Sequence, residues 1–261
     1  METQTKTKER VDVITAAGII HPYNDPSKIF IEMKDKTHPK KAFRMKLSCI
    51  GGYWIGEAAK NDRGPDETFR REVGEELSLE KAIENTLELS LIFKDFIPES
   101  YNVERAGVPV TDEDDQDLEM LKAEIQMRCD HFGDYLIDVP SEVFKRADPE
   151  SGSRGVRALC SAFTVPLTLQ GWATLERLQR KFKNLSNESL TVITSLPEIL
   201  GTGWLSAGGN DHILRDFFLK KGFSEAENFP LMEGITVTGL KGPGRAYYDD
   251  YLRSFEVANR P

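Results

Sequence analysis

Residues 65–79 read Pro65-Asp66-Glu67-Thr68-Phe69-Arg70-Arg71-Glu72-Val73-Gly74-Glu75-Glu76-Leu77-Ser78-Leu79. Proline suits a first helical position and acids suit the positive end of the helix dipole, so the spacing predicts a helix starting at Pro65. Phe69, Val73 and Leu77 fall at i, i+4 and i+8 and form one apolar stripe. At about 100° per residue, Glu72, Glu75 and Glu76 share roughly 100° of arc beside that stripe. One side of the helix can enter a core while three carboxylates gather on the neighbouring face. Gathered carboxylates repel, and a divalent cation is the natural compensation. Hard oxygen ligands favour Mg²⁺ or Mn²⁺, which commonly bridge carboxylates to substrate phosphates. An acidic helix face that is merely solvated is the bland alternative. The pattern Arg-Glu-aliphatic-x-Glu-Glu is more restrictive, expected by chance in about one chain per thousand of this length.

Upstream, Val11–Ile20 and Ile29–Met33 are apolar and β-branched, and His21-Pro22-Tyr23-Asn24-Asp25-Pro26 between them signals a turn. A hairpin is expected. Phe43, Met45, Leu47 and Cys49 alternate with Arg44, Lys46 and Ser48, the period of a strand with one buried face, and that strand stops at Gly51-Gly52. Downstream, Leu87–Phe96, Tyr135–Val139, Ala158–Val165 and Leu190–Thr194 read as strands. Trp172–Phe182 and Asn210–Lys221 read as helices, the latter stopped by Gly222. Interspersed strands and helices imply a mixed sheet covered by helices. Residues 1–10 read as a disordered tail, 11–222 as the domain, about 98–131 as an acidic insertion with a helical pattern at Leu118, Leu121 and Ile125, and 223–261 as a C-terminal extension packed on the domain.

The quoted segment resembles the signature of the Nudix hydrolase family: a glycine, five residues, a glutamate, seven residues, then Arg-Glu-U-x-Glu-Glu-x-Gly-U with U aliphatic. Arg71, Glu72, Val73, Glu75, Glu76 and Leu79 match its second half, and Gly51-Gly52 match the double glycine that closes the preceding strand. The resemblance implies an α/β class, a Nudix-like α/β/α sandwich around a mixed β-sheet. It implies metal ligands at Glu72, Glu75 and Glu76, with Glu72 a further ligand or the base that activates water. Arg71 would orient the carboxylates, and Gly51 and Gly52 would let backbone approach metal and phosphates. The activity implied is cleavage of a diphosphate linkage, in a nucleoside diphosphate derivative or related small molecule, by metal-activated water. The alternative is a non-catalytic Nudix-like ligand-binding or regulatory module.

Two departures sharpen the expectation. The signature glutamate falls on Arg63, eight residues before Arg71, and Ser78 replaces the last glycine. Eighteen residues, 53–70, separate Gly52 from Arg71 where the signature leaves thirteen, so the loop looks expanded by about five. Glu57 is the expected brace for Arg71 across that expansion, counted with Arg71 and Glu72 among the catalytic candidates. A general base from a later loop would come from Glu188, Glu198, Asp211 or His212. Tyr53-Trp54 could stack on a nucleobase, though core aromatics are commoner. Gly242-Pro243-Gly244-Arg245 reads as a plain turn before a phosphate cradle, and His21 as structural.

Composition sets the frame. With 39% hydrophobic and 30% charged residues, 261 residues can bury a sizeable core without disulfides. A net charge of -9 argues against duplex nucleic acid and against an anionic membrane surface. Cys49, Cys129 and Cys160 have no zinc-ligand spacing and read as ordinary thiols. Lacking an apolar leader or a span of ~18 apolar residues, the chain is expected to be cytoplasmic. The expected partner is a small-molecule diphosphate. A homodimer is allowed, since the sequence does not fix the oligomeric state.

Overall fold

The computed structural model describes residues 11–34, 38–54, 62–79, 109–186 and 189–240. The expected tail, Glu57, the strand at 87–96, Glu188 and the turn at 242–245 lie outside the described residues.

Strands β1 (Val13–Pro22) and β2 (Lys28–Lys34) form the expected hairpin, paired antiparallel at Ile20 and Phe30. The two strands then diverge, and residues 46–54 enter the wedge. Strand β3 (Lys46–Ser48) pairs with β2, and Ile50 and Tyr53 go on to bridge Gly18 and Thr15 of β1. The alternation seen from Phe43 produces a strand only from Lys46. Lys41–Phe43 is a 3-10 turn and Met45 sits at φ 57°, with its amide donating to the Lys34 carbonyl at 2.8 Å. A turn geometry at Met45 overrides the pattern.

On the far side of β1, β5 (Val156–Leu167) runs parallel, β4 (Asp130–Val139) pairs antiparallel with β5, and β7 (Thr236–Gly239) with β4. Strand β6 (Leu190–Ser195) pairs antiparallel with the other edge of β2, completing seven strands of mostly antiparallel pairing. Six helices accompany the sheet among the described residues: α1 (Pro65–Glu76), α2 (Asp112–Met127), α3 (Ser141–Ala147), α4 (Leu169–Phe182), α5 (Leu196–Thr202) and α6 (Asn210–Lys220). None is long and apolar enough to cross a membrane.

Side chains alternate across a strand, so β2 sends Ile29, Ile31 and Met33 to one face and Phe30 to the other. The first set packs with Val143 and Phe144 of α3, Leu196 and Ile199 of α5, and Phe217 and Phe218 of α6. Phe30 packs with Phe69 and Val73 of α1, Leu118 and Ile125 of α2, and Leu175 and Leu178 of α4. Helices cover both faces, giving the α/β/α sandwich.

Two outlying segments enter this core. Of the expected insertion at 98–131, the described part carries α2, which buries Leu118, Leu121 and Ile125 beside Phe69. It is a core helix, because its period-3.6 stripe found an apolar neighbour on the sheet. Of the extension from residue 223, Ala226, Phe229 and Ile235 are buried before β7 joins the sheet.

Candidate functional site

Helix α1 starts at Pro65, with Asp66 and Glu67 in its first turn, and buries Phe69 and Val73 as the stripe requires. Phe69 lies directly on β1: a methyl group on Gly18 would stand 2.1 Å from its ring. This seat fixes which flank of the helix faces the end of the β3 segment. There Gly51 takes φ 147°, and a side chain on it would meet the Ala16 carbonyl at 2.1 Å. Only glycine fits that conformation and approach. The next residue carries the functional contact. A Cβ on Gly52 would lie 2.4 Å from the Glu72 carboxyl carbon, so the Glu72 head group occupies the space a side chain would need. The pairing of double glycine with the first helix glutamate is thus a packing fact.

Arg71 ties this corner together. Its Nε donates to Asp62 Oδ2 at 2.9 Å, one terminal nitrogen meets Glu72 Oε1 at 2.7 Å and Glu75 Oε2 at 2.9 Å, and the other donates to the Tyr53 carbonyl at 3.2 Å. Burial works against the guanidinium charge, but the Asp62 and Glu72 carboxylates outweigh it and raise the pKa above its ordinary value. Asp62 is itself nearly buried and is held by Trp54, whose indole N–H donates to the Asp62 carbonyl at 2.8 Å.

Among the described residues Asp62 braces Arg71, the role expected of Glu57, which lies outside them. Asp62 stands nine residues before Arg71, one position from where the signature places its acid, and is one methylene shorter. An acidic neighbour of position 63 was the available signal. Arg63 turns outward and pairs with Glu67 at 2.7 Å.

The three helix glutamates sit at graded depth: the Glu75 side chain is 47% exposed and that of Glu72 13%, while Glu76 is buried. Among the described residues, no group of three or more His, Cys, Asp or Glu side chains is arranged to hold a metal ion. Glu72 and Glu75 converge on Arg71 instead. The donor chemistry nonetheless fits a hard cation, with the Glu72 carboxylate seated against the backbone of Gly52.

A further carboxylate escaped the sequence reading because it lies in an apolar strand. Glu32 of β2 is fully buried and accepts from Lys34 Nζ at 2.8 Å and Ser186 Oγ at 3.1 Å. Ser186 bridges Leu77, the residue after Glu76, so Glu32 lies close to the C-terminal end of α1.

Glu198 and Asp211 have structural duties. Glu198 caps α5 through the Ser195 amide, and Asp211 is buried, accepting the backbone N–H groups of His212 and Met232. Trp54 is core, whereas Tyr53 is half exposed with its hydroxyl 3.2 Å from Lys40 Nζ. The acidic run opens α2 as a capping box between Thr111 and Asp114. Burial pushes the Cys160 thiol up to about 11 and the Cys129 thiol up to about 12, so both stay protonated and unreactive.

No protein-family model matches the chain, and no curated protein matches it either. Solved structures of Nudix domain proteins are similar to it. The NUDIX domain of Shewanella oneidensis NrtR, complexed with ADP ribose, is 10% identical, with 82% of this chain and 89% of that chain covered at a TM-score of 0.39. A bifunctional NMN adenylyltransferase/ADP ribose pyrophosphatase from Francisella tularensis, complexed with AMP and Mn ion, is 10% identical, with 83% of this chain covered at a TM-score of 0.40. The chain spans 43% of the length of that second protein. At such identities the case for a site rests on the residues described above.

Proposed function

We propose that the protein is a divalent-metal-dependent pyrophosphohydrolase that cleaves the diphosphate linkage of a nucleoside diphosphate derivative or related small molecule. The observation that carries this reading is the seat of Glu72 against Gly52, with Arg71 braced by Asp62. An arginine held by a buried acid and turned onto two helix glutamates is a device for orienting carboxylates. Glu72, Glu75 and Glu76 would hold Mg²⁺ or Mn²⁺. Such a cation supplies an acidified water and charge neutralisation at phosphate oxygens. Within the chain, Arg71 sets the direction of Glu72 and Glu75, and Gly51 and Gly52 keep the backbone low beneath them.

A second reading, a ligand-binding module without turnover, is favoured by one observation. Glu72 and Glu75 are committed to Arg71, and no three-ligand cluster stands ready among the described residues. A panel of diphosphates, with ADP-ribose first, incubated with Mg²⁺ or Mn²⁺ and read by mass spectrometry separates the two. Hydrolysis should appear in the wild type and fall at least about a hundredfold in Glu75→Gln and Glu76→Gln. Added metal should raise the melting temperature of the wild type more than that of either variant, because only the folded site binds it. Binding of ADP-ribose without metal and without products would favour the module. Equal metal-induced shifts in all three proteins would remove the metal assignment.

A further inference from the structure

The last turn of α1 carries Glu75 and Glu76, and by its own sequence that turn is weak. Gly74 is a poor helix former, and two acids stand at the negative end of the helix dipole with no basic residue in the turn. The last glycine of the signature, the residue type that most readily closes a helix, is Ser78 here. The chain instead leaves α1 through Leu77 in an extended conformation, φ -76° and ψ 118°. An end of this composition frays unless tertiary contacts hold it.

The hold comes from the segment between α4 and β6. Ser78 donates its amide to the Leu185 carbonyl at 3.0 Å, and Leu77 forms an antiparallel bridge with Ser186. Ser186 Oγ in turn donates to Glu32 Oε1 of β2 at 3.1 Å. The segment is itself fixed. Asn184 Oδ1 accepts the amides of Ser186 at 3.2 Å and Thr191 at 2.8 Å, and Asn184 Nδ2 donates to the Ser186 carbonyl at 2.9 Å. Glu32, Asn184, Ser186 and Thr191 are all fully buried.

A buried carboxylate costs stability even when it is paired. Lys34 Nζ meets Glu32 Oε2 at 2.8 Å, yet a well-packed apolar residue in such a strand serves stability as well or better. What an apolar residue cannot do is accept the hydroxyl of Ser186, the residue bridged to Leu77. We infer that Glu32 is a positioning residue: through Ser186 it fixes the end of α1, and so sets the direction of Glu76 toward a divalent cation. This rests on the reading that the α1 glutamates hold the metal.

Two readouts keep that reading and the anchor apart: amide hydrogen exchange in the metal-free protein, and calorimetric titration with Mn²⁺ alone. Ser186→Ala and Glu32→Leu should each speed exchange of the Leu77 and Ser78 amides about tenfold, the worth of a hydrogen bond to a charged group, and leave Val73 unchanged. Both should also weaken Mn²⁺ binding about tenfold, as loss of a group that orients a metal ligand does. Glu32→Gln keeps an acceptor for Ser186 and should stay close to wild type in both readouts. Equal acceleration at Val73, the mark of global loosening, or none at Ser78, overturns the anchor. Faster exchange with unchanged Mn²⁺ affinity overturns its bearing on Glu76 and leaves the metal site standing. A Glu32→Gln protein as impaired as Glu32→Leu overturns it too, since charge and not the hydrogen bond would then be at work. A wild type that binds no Mn²⁺ overturns the metal reading, and with it the duty assigned to Glu32, whatever exchange shows.

Discussion

Against one face of the sheet, α3, α5 and α6 pack Phe144, Ile199, Ile213, Phe217 and Phe218, with His21 and Asp211 buried beside them. Against the other, α1, α2 and α4 pack Phe69, Leu121 and Leu178, but also bury Glu76, Asp114 and Gln179, over sheet residues Glu32, Asp134 and Ser161. Apolar burial is worth roughly 25 cal/mol per Å², whereas a buried ion must first recover its lost hydration. The first face can therefore carry stability with little conflict. The second spends part of its apolar contact on holding charges in fixed directions, and charges so held are what a phosphate-handling site requires. Under the proposed function, the second face is the one that would carry the site.

The largest expected effect breaks the apolar face. Phe217→Ala removes a fully buried ring that touches His21, Phe132 and Phe218. Urea denaturation should show a loss of about 3–5 kcal/mol. Hydrolysis per folded molecule should be nearly unchanged. A small stability loss paired with a large activity loss would mean that the division of labour is drawn on the wrong side of the sheet.

Next in size is the brace on the polar face. Asp62→Asn leaves Arg71 its contacts to Glu72, Glu75 and the Tyr53 carbonyl but removes the charge that fixes its Nε edge. Small displacements of catalytic groups cost about a hundredfold in rate, and a loss of that order is expected in turnover under saturating metal. Arg63→Gln should leave turnover close to wild type, because Arg63 contacts the exposed start of α1. The reverse ranking would restore the ungapped register, with Arg63 turned onto substrate phosphates.

The two residues also mark the limit of what the sequence discloses. Helix α1 was legible to its first residue because its signals are local: Pro65, the acids after it and a stripe of period 3.6. The β1–β2 hairpin and α6 were legible for the same reason. Asp62 was not, since several acids precede Arg71 and the contact of Trp54 with Asp62 is set by tertiary packing. The first half of β4 was missed because Asp130–Asp134 is polar and bulged, and the bulge is defined by pairing with β5. The short helices α3 and α5 and strand β7 offer too few turns or alternations for a period to show. Glu32 stayed hidden because nothing in a run of apolar residues announces that Ser186 and Lys34 will meet it.

The smallest expected effect separates the faces by pH. On the apolar side His21 is buried 5.1 Å from the Phe217 ring, and its Nε2 has no hydrogen-bond partner among the described residues. Burial lowers its pKa from 6.5, with Lys221 adding to the effect and the Pro22 carbonyl opposing it. The unfolded chain then binds the proton first as pH falls. Stability attached to neutral His21 is full above about 6.5 and is lost below it. On the polar side burial pushes the Asp114 carboxyl up, but hydrogen bonds from Lys181, Thr111 and Arg177 outweigh it and hold the group well below its ordinary 3.8. Its contribution is full above that value and is lost only as pH falls further, toward the depressed folded pKa. Urea midpoints taken from pH 7.5 to pH 3 should therefore decline in two stages. His21→Leu should remove the upper stage alone. Asp114→Asn should lower the midpoint at neutral pH and flatten the lower stage, because α2 and α4 then lack the ion pairs that acid would have broken. A single decline untouched by either substitution would mean that neither group is held as its surroundings demand.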